Sequence, residues 1–152
     1  MRGFRVWAAV AAVGVLLGTA PATQPVMAVV PLNPHAMAER FPMLEVPCAV
    51  NMVPLECMVD TGSAEGIVLS AGMAATVHAP IGPAMELWGV GGESAQHATS
   101  VQLAIGGHTI TVTGAVAPTW EGTVLVGLPA LRRLAPNGLR IDWSRHTVTL
   151  TR

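Results

Sequence analysis

From Phe41 onward, the chain consists of short apolar runs separated by Gly, Pro and Asn. The runs of strand length are residues 43–49, 55–59, 66–69, 101–105, 109–112 and 124–126. Between two of them, Gly106-Gly107-His108 is typical of a hairpin turn. Many short strands joined in this way predict a mostly β, closed β-barrel-like domain.

The end of the chain predicts one short C-terminal helix and a second hairpin. Residues 128–134 carry Pro129 in their first turn and Pro136-Asn137-Gly138 just beyond, which are helix start and stop signals. Residues 139–143 and 147–151 are predicted to pair around Ser144-Arg145-His146. Residues 23–40 contain several prolines and no sustained period, which indicates a linker or arm. The predicted single domain is therefore residues 41–152.

The first residues have the pattern of an export signal. Arg2 and Arg5 precede an apolar run over residues 6–17, and Gly18-Thr19-Ala20-Pro21-Ala22 follows it. A basic start, a short apolar core and a small-residue exit predict a signal peptide over residues 1–22. The run is shorter than the ~20 residues of a membrane-spanning helix, so an uncleaved tether through residues 6–20 is the alternative. The expected location is periplasmic or secreted, or else anchored to the inner membrane and facing outward.

Composition narrows the classes of partner. Hydrophobic residues reach 51%, charged residues only 11%, and the net charge is −1. The basic residues are scattered arginines without a basic stripe, so no nucleic acid partner is expected. A surface poor in charge favours an oligomer. The five histidines show no spacing suited to zinc, and neither a metal nor a cofactor is expected.

Cys48 and Cys57 are the two cysteines of the chain. If the segment between them is a hairpin with Met52-Val53 at its tip, the two residues lie directly opposite each other, and a cross-strand disulfide is feasible. Export would expose the pair to oxidising conditions. The alternative is two buried free thiols that pack as small hydrophobic groups.

The chain has two aspartates, Asp60 and Asp142, and their surroundings differ. Asp60 ends an apolar strand and is followed at once by Thr61-Gly62-Ser63. A carboxylate in apolar surroundings is costly unless N–H and hydroxyl groups receive it. Gly62 permits a tight turn that aims amides at the carboxylate, and Ser63 offers a hydroxyl. Asp142 precedes a hairpin turn with arginines nearby, and we interpret it as an ordinary turn residue.

The segment Val59-Asp60-Thr61-Gly62-Ser63 resembles the active-site motif of the retropepsin-like aspartic proteases, including exported bacterial members. Three further features stand in the family's order. Trp88-Gly89-Val90-Gly91-Gly92-Glu93 is similar to the glycine-rich tip of the flap, and Leu125-Val126-Gly127 to the segment that packs beneath the active-site loop. Residues 139–143 with 147–150 resemble the closing hairpin of the bacterial members. The resemblance extends over about residues 43–150.

The resemblance implies a role for each loop residue. Asp60 would be the catalytic carboxylate, Thr61 would hydrogen-bond across a dimer, Gly62 would donate its amide, and Ser63 would hydrogen-bond the outer carboxylate oxygen. Because the chain carries one such loop, the second aspartate would come from another copy in a homodimer. An extended peptide or protein substrate would lie under the flaps. The alternative is a catalytically inactive peptide-binding or assembly module of the same fold.

Overall fold

The structure of the protein, a computed structural model, describes residues 25–34, 43–89 and 92–152. The predicted signal peptide, most of the predicted linker, and Val90 and Gly91 of the flap lie outside these residues. The elements in chain order are β1 Val26–Pro31, β2 Glu45–Val50, β3 Val53–Asp60, β4 Ile67–Ser70, α1 Ala71–Thr76, β5 Ala84–Gly89, β6 Gly92–Ile105, β7 His108–Ala117, β8 Val124–Gly127, α2 Leu128–Leu134, β9 Gly138–Asp142 and β10 Thr147–Thr151.

Six strands close into a barrel, as the sequence predicted. The sheet order is β2-β3-β8-β4-β7-β6, and an additional pairing of β2 with β6 joins its two ends. The core is aliphatic because inward positions alternate along the strands: Val101, Leu103 and Ile105 of β6 are buried, while Gln102 between them is exposed. The mostly β, barrel-like fold is confirmed, with β5 attached outside the closed part through β6.

The predicted hairpin at residues 101–112 is confirmed. Ile105 pairs with His108, and Gly106 and Gly107 form the turn with φ of 58° and 81°. Both residues of such a turn need positive φ, which glycine adopts without steric cost. The closing hairpin is confirmed as well, since β9 and β10 pair from Asp142–Thr147 to Gly138–Thr151.

The first strand corrects the prediction of a linker. Residues 26–31 form β1, which pairs antiparallel with β10 and completes a three-stranded sheet of order β1-β10-β9. Val30 and Leu32 are buried in the same core as the barrel. Nε2 of His108 lies 3.3 Å from the carbonyl oxygen of Met27, which links this sheet to the β6–β7 turn. Part of the expected arm is therefore an integral strand of the domain.

The β2–β3 hairpin turns one residue earlier than predicted. Its tip is Asn51-Met52, both with positive φ, and Cys48 therefore pairs with Leu55. The predicted register, with Cys48 directly opposite Cys57, is wrong. The two cysteines are nevertheless joined by a disulfide across a Cα–Cα distance of 5.8 Å, because a diagonal pair of an antiparallel ladder is within reach.

Two helices lie wholly within the described residues. The predicted C-terminal helix is α2, and its Ala130, Leu131 and Leu134 pack into the core. Helix α1 was not expected from the sequence. The hydroxyl of Ser70 caps this helix by accepting a hydrogen bond from the Met73 amide. Neither helix has the length and apolar character needed to cross a membrane, a finding that covers the described residues only.

Candidate active site

Asp60 is positioned by the pairing of β3 with β8 at the rim of the barrel. The two strands are parallel, with Val59 opposite Val126 and Asp60 opposite Gly127. Val126 is fully buried beside them, whereas the side chains of Val59 and Asp60 are half-buried. The apolar strand therefore carries the carboxylate to the point where the core meets the surface.

The residues after Asp60 turn back and bond to it. The Gly62 amide donates a hydrogen bond to Oδ1 of Asp60 at 2.9 Å, and the Ser63 amide donates to the Asp60 carbonyl oxygen at 3.3 Å. An amide donor of this kind compensates a carboxylate for the water it loses at the barrel rim. The expected amide donation by Gly62 is present in this loop.

Gly127 supports the loop from below. Its amide donates to the carbonyl oxygen of Gly66, and the next amide, that of Leu128, donates to the carbonyl oxygen of Ser63, each at 3.1 Å. A Cβ atom added at Gly127 would lie only 1.9 Å from the carbonyl oxygen of Glu65. The loop approaches β8 so closely that the position holds only glycine. The segment Leu125-Val126-Gly127 thus lies where the resemblance placed it.

The Ser63 hydroxyl does not take its expected role. Its Oγ accepts from the Glu65 amide at 3.3 Å and lies 3.4 Å from the Glu65 carbonyl oxygen. Serine commonly bonds to the backbone two residues on, and this local contact takes the place of the bond to the Asp60 carboxylate. In the single chain, Ser63 shapes the loop instead of contacting the acid.

Thr61 and Gly62 are exposed on the outer side of the same loop. Thr61 makes no side-chain hydrogen bond to any other described residue. The half-buried carboxylate of Asp60 is therefore followed by the exposed Thr61 hydroxyl and by the exposed turn at Gly62.

The predicted flap is a hairpin of β5 and β6 that extends beyond the barrel. Its pairs run from Ala84–His97 to Gly89–Gly92, so Trp88, Gly89 and Gly92 lie at its end. From His97 onward, β6 pairs with β7 as well, which makes His97 the point where the hairpin leaves the barrel.

Hydrogen bonds from a neighbouring loop fix the base of this hairpin. The Thr99 hydroxyl donates to the Pro80 carbonyl oxygen at 2.7 Å, and the Gly82 amide donates to the Ala98 carbonyl oxygen at 2.8 Å. Nδ1 of His97 lies 3.3 Å from the Gly82 carbonyl oxygen. The base is held by several contacts, whereas the ladder of the described residues 84–89 and 92–96 joins these two strands only to each other.

A cavity of about 340 Å³ adjoins the Asp60 loop on the side of α2. Its lining residues are Thr61, Gly62, Ser63, Ala64, Leu128, Pro129 and Arg132. Leu128 is 42% exposed there. Sequence reasoning did not single out Arg132. The available signal was the arginine pair in the last turn of a helix that follows directly from Gly127.

Asp142 is a turn residue, in line with our interpretation of the sequence. Its Oδ1 accepts from the Ser144 hydroxyl at 2.7 Å and from the amides of Ser144 and Arg145. Oδ2 lies 3.8 Å from Nε of Arg145. The Ser144 hydroxyl, followed by the Arg145 amide, holds the pKa of the Asp142 carboxyl below its usual value. All of these partners belong to the β9–β10 turn.

No group of three or more His, Cys, Asp or Glu side chains within the described ranges is arranged to hold a metal ion.

Comparisons with known proteins agree with this geometry. The family model described as "gag-polyprotein putative aspartyl protease" matches residues 46–133, more than half of the chain. A comparison with curated protein sequences gives no significant match.

Solved structures of related fold include two proteases. A retropepsin-like aspartic protease from Rickettsia conorii has 21% identity and a TM-score of 0.58, over 80% of this chain and 86% of that one. The EIAV protease complexed with the inhibitor HBY-793 has 23% identity and a TM-score of 0.52, over 60% of this chain and 88% of that one. At these identities the structures show a shared fold. The family model, which matches more than half of the chain, shows that the chain belongs to the retropepsin-like aspartyl protease family.

Proposed function

We propose that the protein is an aspartic endopeptidase, active as a homodimer in which each subunit supplies one Asp60. The observation that carries the proposal is the half-buried Asp60 carboxylate at the barrel rim, held by the Gly62 amide and followed by an exposed Thr61. Each chain has one such loop, and its other aspartate belongs to the β9–β10 turn. A second copy of the chain is the simplest source of the second carboxylate.

The chemistry follows from placing two carboxylates in contact. Like charges at such a distance cannot both ionise cheaply, so the pair shares one proton over a range of pH. The ionised carboxylate takes a proton from a water molecule, and the oxygen of that water attacks the peptide carbonyl carbon. The protonated carboxyl donates a hydrogen bond to the carbonyl oxygen as negative charge develops there.

The β5–β6 hairpin is the proposed contact for the substrate backbone. An extended peptide can add main-chain hydrogen bonds beside a strand, with side chains alternating between the two sides. The hairpin has two strands and extends past the closed barrel, which leaves main-chain groups outside the barrel ladders. In this arrangement the peptide lies between the hairpin and the Asp60 loop.

We also propose that the protein works outside the cytoplasm, in the periplasm or the secreted space. The disulfide between Cys48 and Cys57 supports this location because such bonds persist in oxidising compartments. Thiol labelling of the protein taken directly from its native cells should find both cysteines unreactive until a reductant is added. Two reactive thiols would count against export.

Replacement of the acid tests the catalytic role. Asp60→Asn should abolish cleavage of a mixed peptide library, because an amide can neither take a proton from water nor share one. Asp142→Asn is the matched control, since it makes the same chemical change at the chain's other aspartate, and it should keep most of the activity. Cleavage by purified Asp60→Asn close to the wild-type rate would refute the assignment. Peptide binding without cleavage by wild type would instead indicate the inactive, peptide-binding module.

A further inference from the structure

A separate cavity of about 330 Å³ lies between α2, the start of β7 and the end of the β1–β10 pair. It shares no lining residue with the cavity beside the Asp60 loop. The two arginines in the last turn of α2 divide between these spaces, since Arg132 lines the cavity at the loop and Arg133 lines this one. No residue of the Asp60 loop takes part, so the cavity is distinct from the proposed catalytic pair.

The fold brings three basic side chains to this cavity from distant parts of the sequence, namely His108, Arg133 and Arg152. Arginine stays charged at any pH at which proteins are folded, and histidine adds a positive charge when it is protonated. No acidic side chain lines the space. The one ion pair among the described residues lies elsewhere, in the β9–β10 turn. The cavity therefore collects positive charge that the described part of the chain does not neutralise.

Contacts with the backbone hold these basic residues at the cavity. Nη1 of Arg133 donates to the carbonyl oxygen of Thr111, which fixes the guanidinium and leaves its other N–H groups for a ligand. The backbone amide of Arg152 donates to the Pro25 carbonyl oxygen at 3.0 Å. The side chain of Arg152 makes no hydrogen bond or ion pair to another described residue. Donors are thus present at the cavity before any ligand binds.

Charge and geometry favour a doubly charged oxyanion as the ligand. The paired N–H groups of a guanidinium match the oxygens of a phosphate group. A doubly charged phosphate can balance both arginines at once, which a single carboxylate cannot. Thr109 lines the same cavity, and its hydroxyl is a further donor of the kind that binds phosphate oxygens.

We propose that this cavity binds phosphate, either as the free ion or as the phosphate group of a small monoester, through Arg133, Arg152 and His108. The proposal does not depend on the peptidase function. The bound group joins α2 to the start of β7 and the end of β10, so it stabilises the folded chain. Because both arginine side chains are exposed, the affinity is modest and falls as salt is raised.

Titration calorimetry with inorganic phosphate tests the site at constant ionic strength. Arg133→Gln and Arg152→Gln should each weaken binding about fivefold, as expected when one exposed charge pair is lost. Arg140→Gln is the matched control, because it makes the same change at an exposed arginine of β9 that does not line this cavity. This control should bind phosphate as wild type does. Phosphate should also raise the urea midpoint of wild type, and less so that of the two cavity variants.

The same titration with glycerol 3-phosphate distinguishes the two sources of the phosphate group. Tighter binding than that of inorganic phosphate would identify a monoester as the ligand, and equal or weaker binding would identify the free ion. Arg133→Gln also loses a bond to β7. If that variant does not fold, Arg152→Gln decides, because its side chain has no partner to lose within the described chain.

Two results would overturn the proposal. One is that wild type binds phosphate no more tightly than acetate or chloride at the same ionic strength, which would reduce the effect to general screening. The other is wild-type affinity for phosphate in the folded cavity variants. If sedimentation then showed that these variants dimerise more weakly, the basic residues would belong to a subunit contact.

Discussion

The space at Gly127 decides whether the Asp60 loop can form. The carbonyl oxygen of Glu65 occupies the volume in which any other residue would carry Cβ. Because this oxygen belongs to the backbone, a clash cannot be relieved by rotating a side chain. A Cβ atom at residue 127 would therefore displace the backbone of the loop that holds the Asp60 carboxylate.

Gly127→Ala should destabilise the protein by about 3 kcal/mol or more, since the loop or β8 must move. Urea denaturation measures the change. Gly72→Ala is the control for the same mutation in open space, because nothing lies within 4 Å of a Cβ added to this position in α1. It should stabilise by about 0.5–1 kcal/mol. Equal effects of the two substitutions would contradict the close approach of loop and strand.

For single residues, the sequence predicted the positions in the loop better than it predicted the side-chain hydrogen bonds. The placement of Asp60, Gly62 and Gly127 agrees with the prediction because it depends on the backbone path, which the pattern of strand and turn constrains. The catalytic role of Asp60 stays a prediction. The hydrogen bond expected from the Ser63 hydroxyl to the Asp60 carboxylate is not seen in the single chain, because a serine hydroxyl can bond either to the acid or to the nearby backbone. A local contact with Glu65 decides its position, and no sequence pattern distinguishes the two.

Among the elements, the β2–β3 hairpin is tied most directly to the site, because β3 ends at Asp60. The disulfide joins its two strands at Cys48 and Cys57, and the sulfur of Cys57 is fully buried in the core. This covalent link holds β3 against β2, and β3 pairs with β8 on its other side. The hairpin is therefore part of the support of the carboxylate.

Removing the disulfide by Cys48→Ala with Cys57→Ala should cost about 2–3 kcal/mol, the loop-closure effect for a loop of this length. The reason is that the unfolded chain gains freedom. A reductant should lower wild-type stability in urea by a similar amount and leave the double variant unchanged, which serves as the control. Thiol titration confirms that the wild-type disulfide has been reduced. If the reduced protein unfolds at the same urea concentration as the oxidised protein, the expectation is wrong.

The β5–β6 hairpin is the element we expect to respond to ligand. Amides of residues 85–89 and 92–96 should exchange hydrogen faster than those of β7, because their strands pair only with each other while β7 lies between two neighbours. A statine-type peptide inhibitor should slow exchange in these residues. The amide of Ala115 in β7 is the internal control. Equal exchange with and without bound inhibitor would argue against closure of the hairpin.

The two hairpins with local turn signals were predicted correctly, whereas β1, which pairs with a strand far along the chain, was not. The Gly106-Gly107 turn and the closing hairpin are specified by residues beside one another. By contrast, β1 pairs with β10 at the other end of the chain, and its prolines suggested a linker. The Asn51-Met52 turn was misplaced because methionine rarely adopts positive φ, as it does here. Helix α1 was not predicted because its six residues are too few to show a helical period.

For the whole molecule, the decisive property is that the barrel is complete while the proposed catalytic pair is not. The strands close through β2 and β6, so a single chain can fold around its own core. Activity, however, would require two Asp60 loops. Dilution should therefore reduce the activity while the chain stays folded.

We expect specific activity to fall as the protein is diluted through its dimer dissociation constant, while circular dichroism of the folded chain persists. Peptide cleavage is measured across a dilution series, with sedimentation giving the oligomeric state at each concentration. Constant specific activity in samples that sedimentation shows to be monomeric would exclude a shared active site. Constant activity in samples still dimeric would only mean that the dilution must go further.

Subunit mixing tests the same dependence without relying on affinity. If one part of wild type exchanges freely with three parts of Asp60→Asn, a wild-type chain meets another wild-type chain in about a quarter of its dimers. A mixed dimer has a single Asp60 and should be inactive. The activity per wild-type chain should therefore fall to about a quarter of its value in a sample of wild type alone at the same total chain concentration. Asp142→Asn mixed in the same ratio should cause no such loss, since every dimer then keeps both Asp60 carboxylates. Undiminished activity after proven subunit exchange would mean that one Asp60 suffices, and the catalytic pair would have to be abandoned.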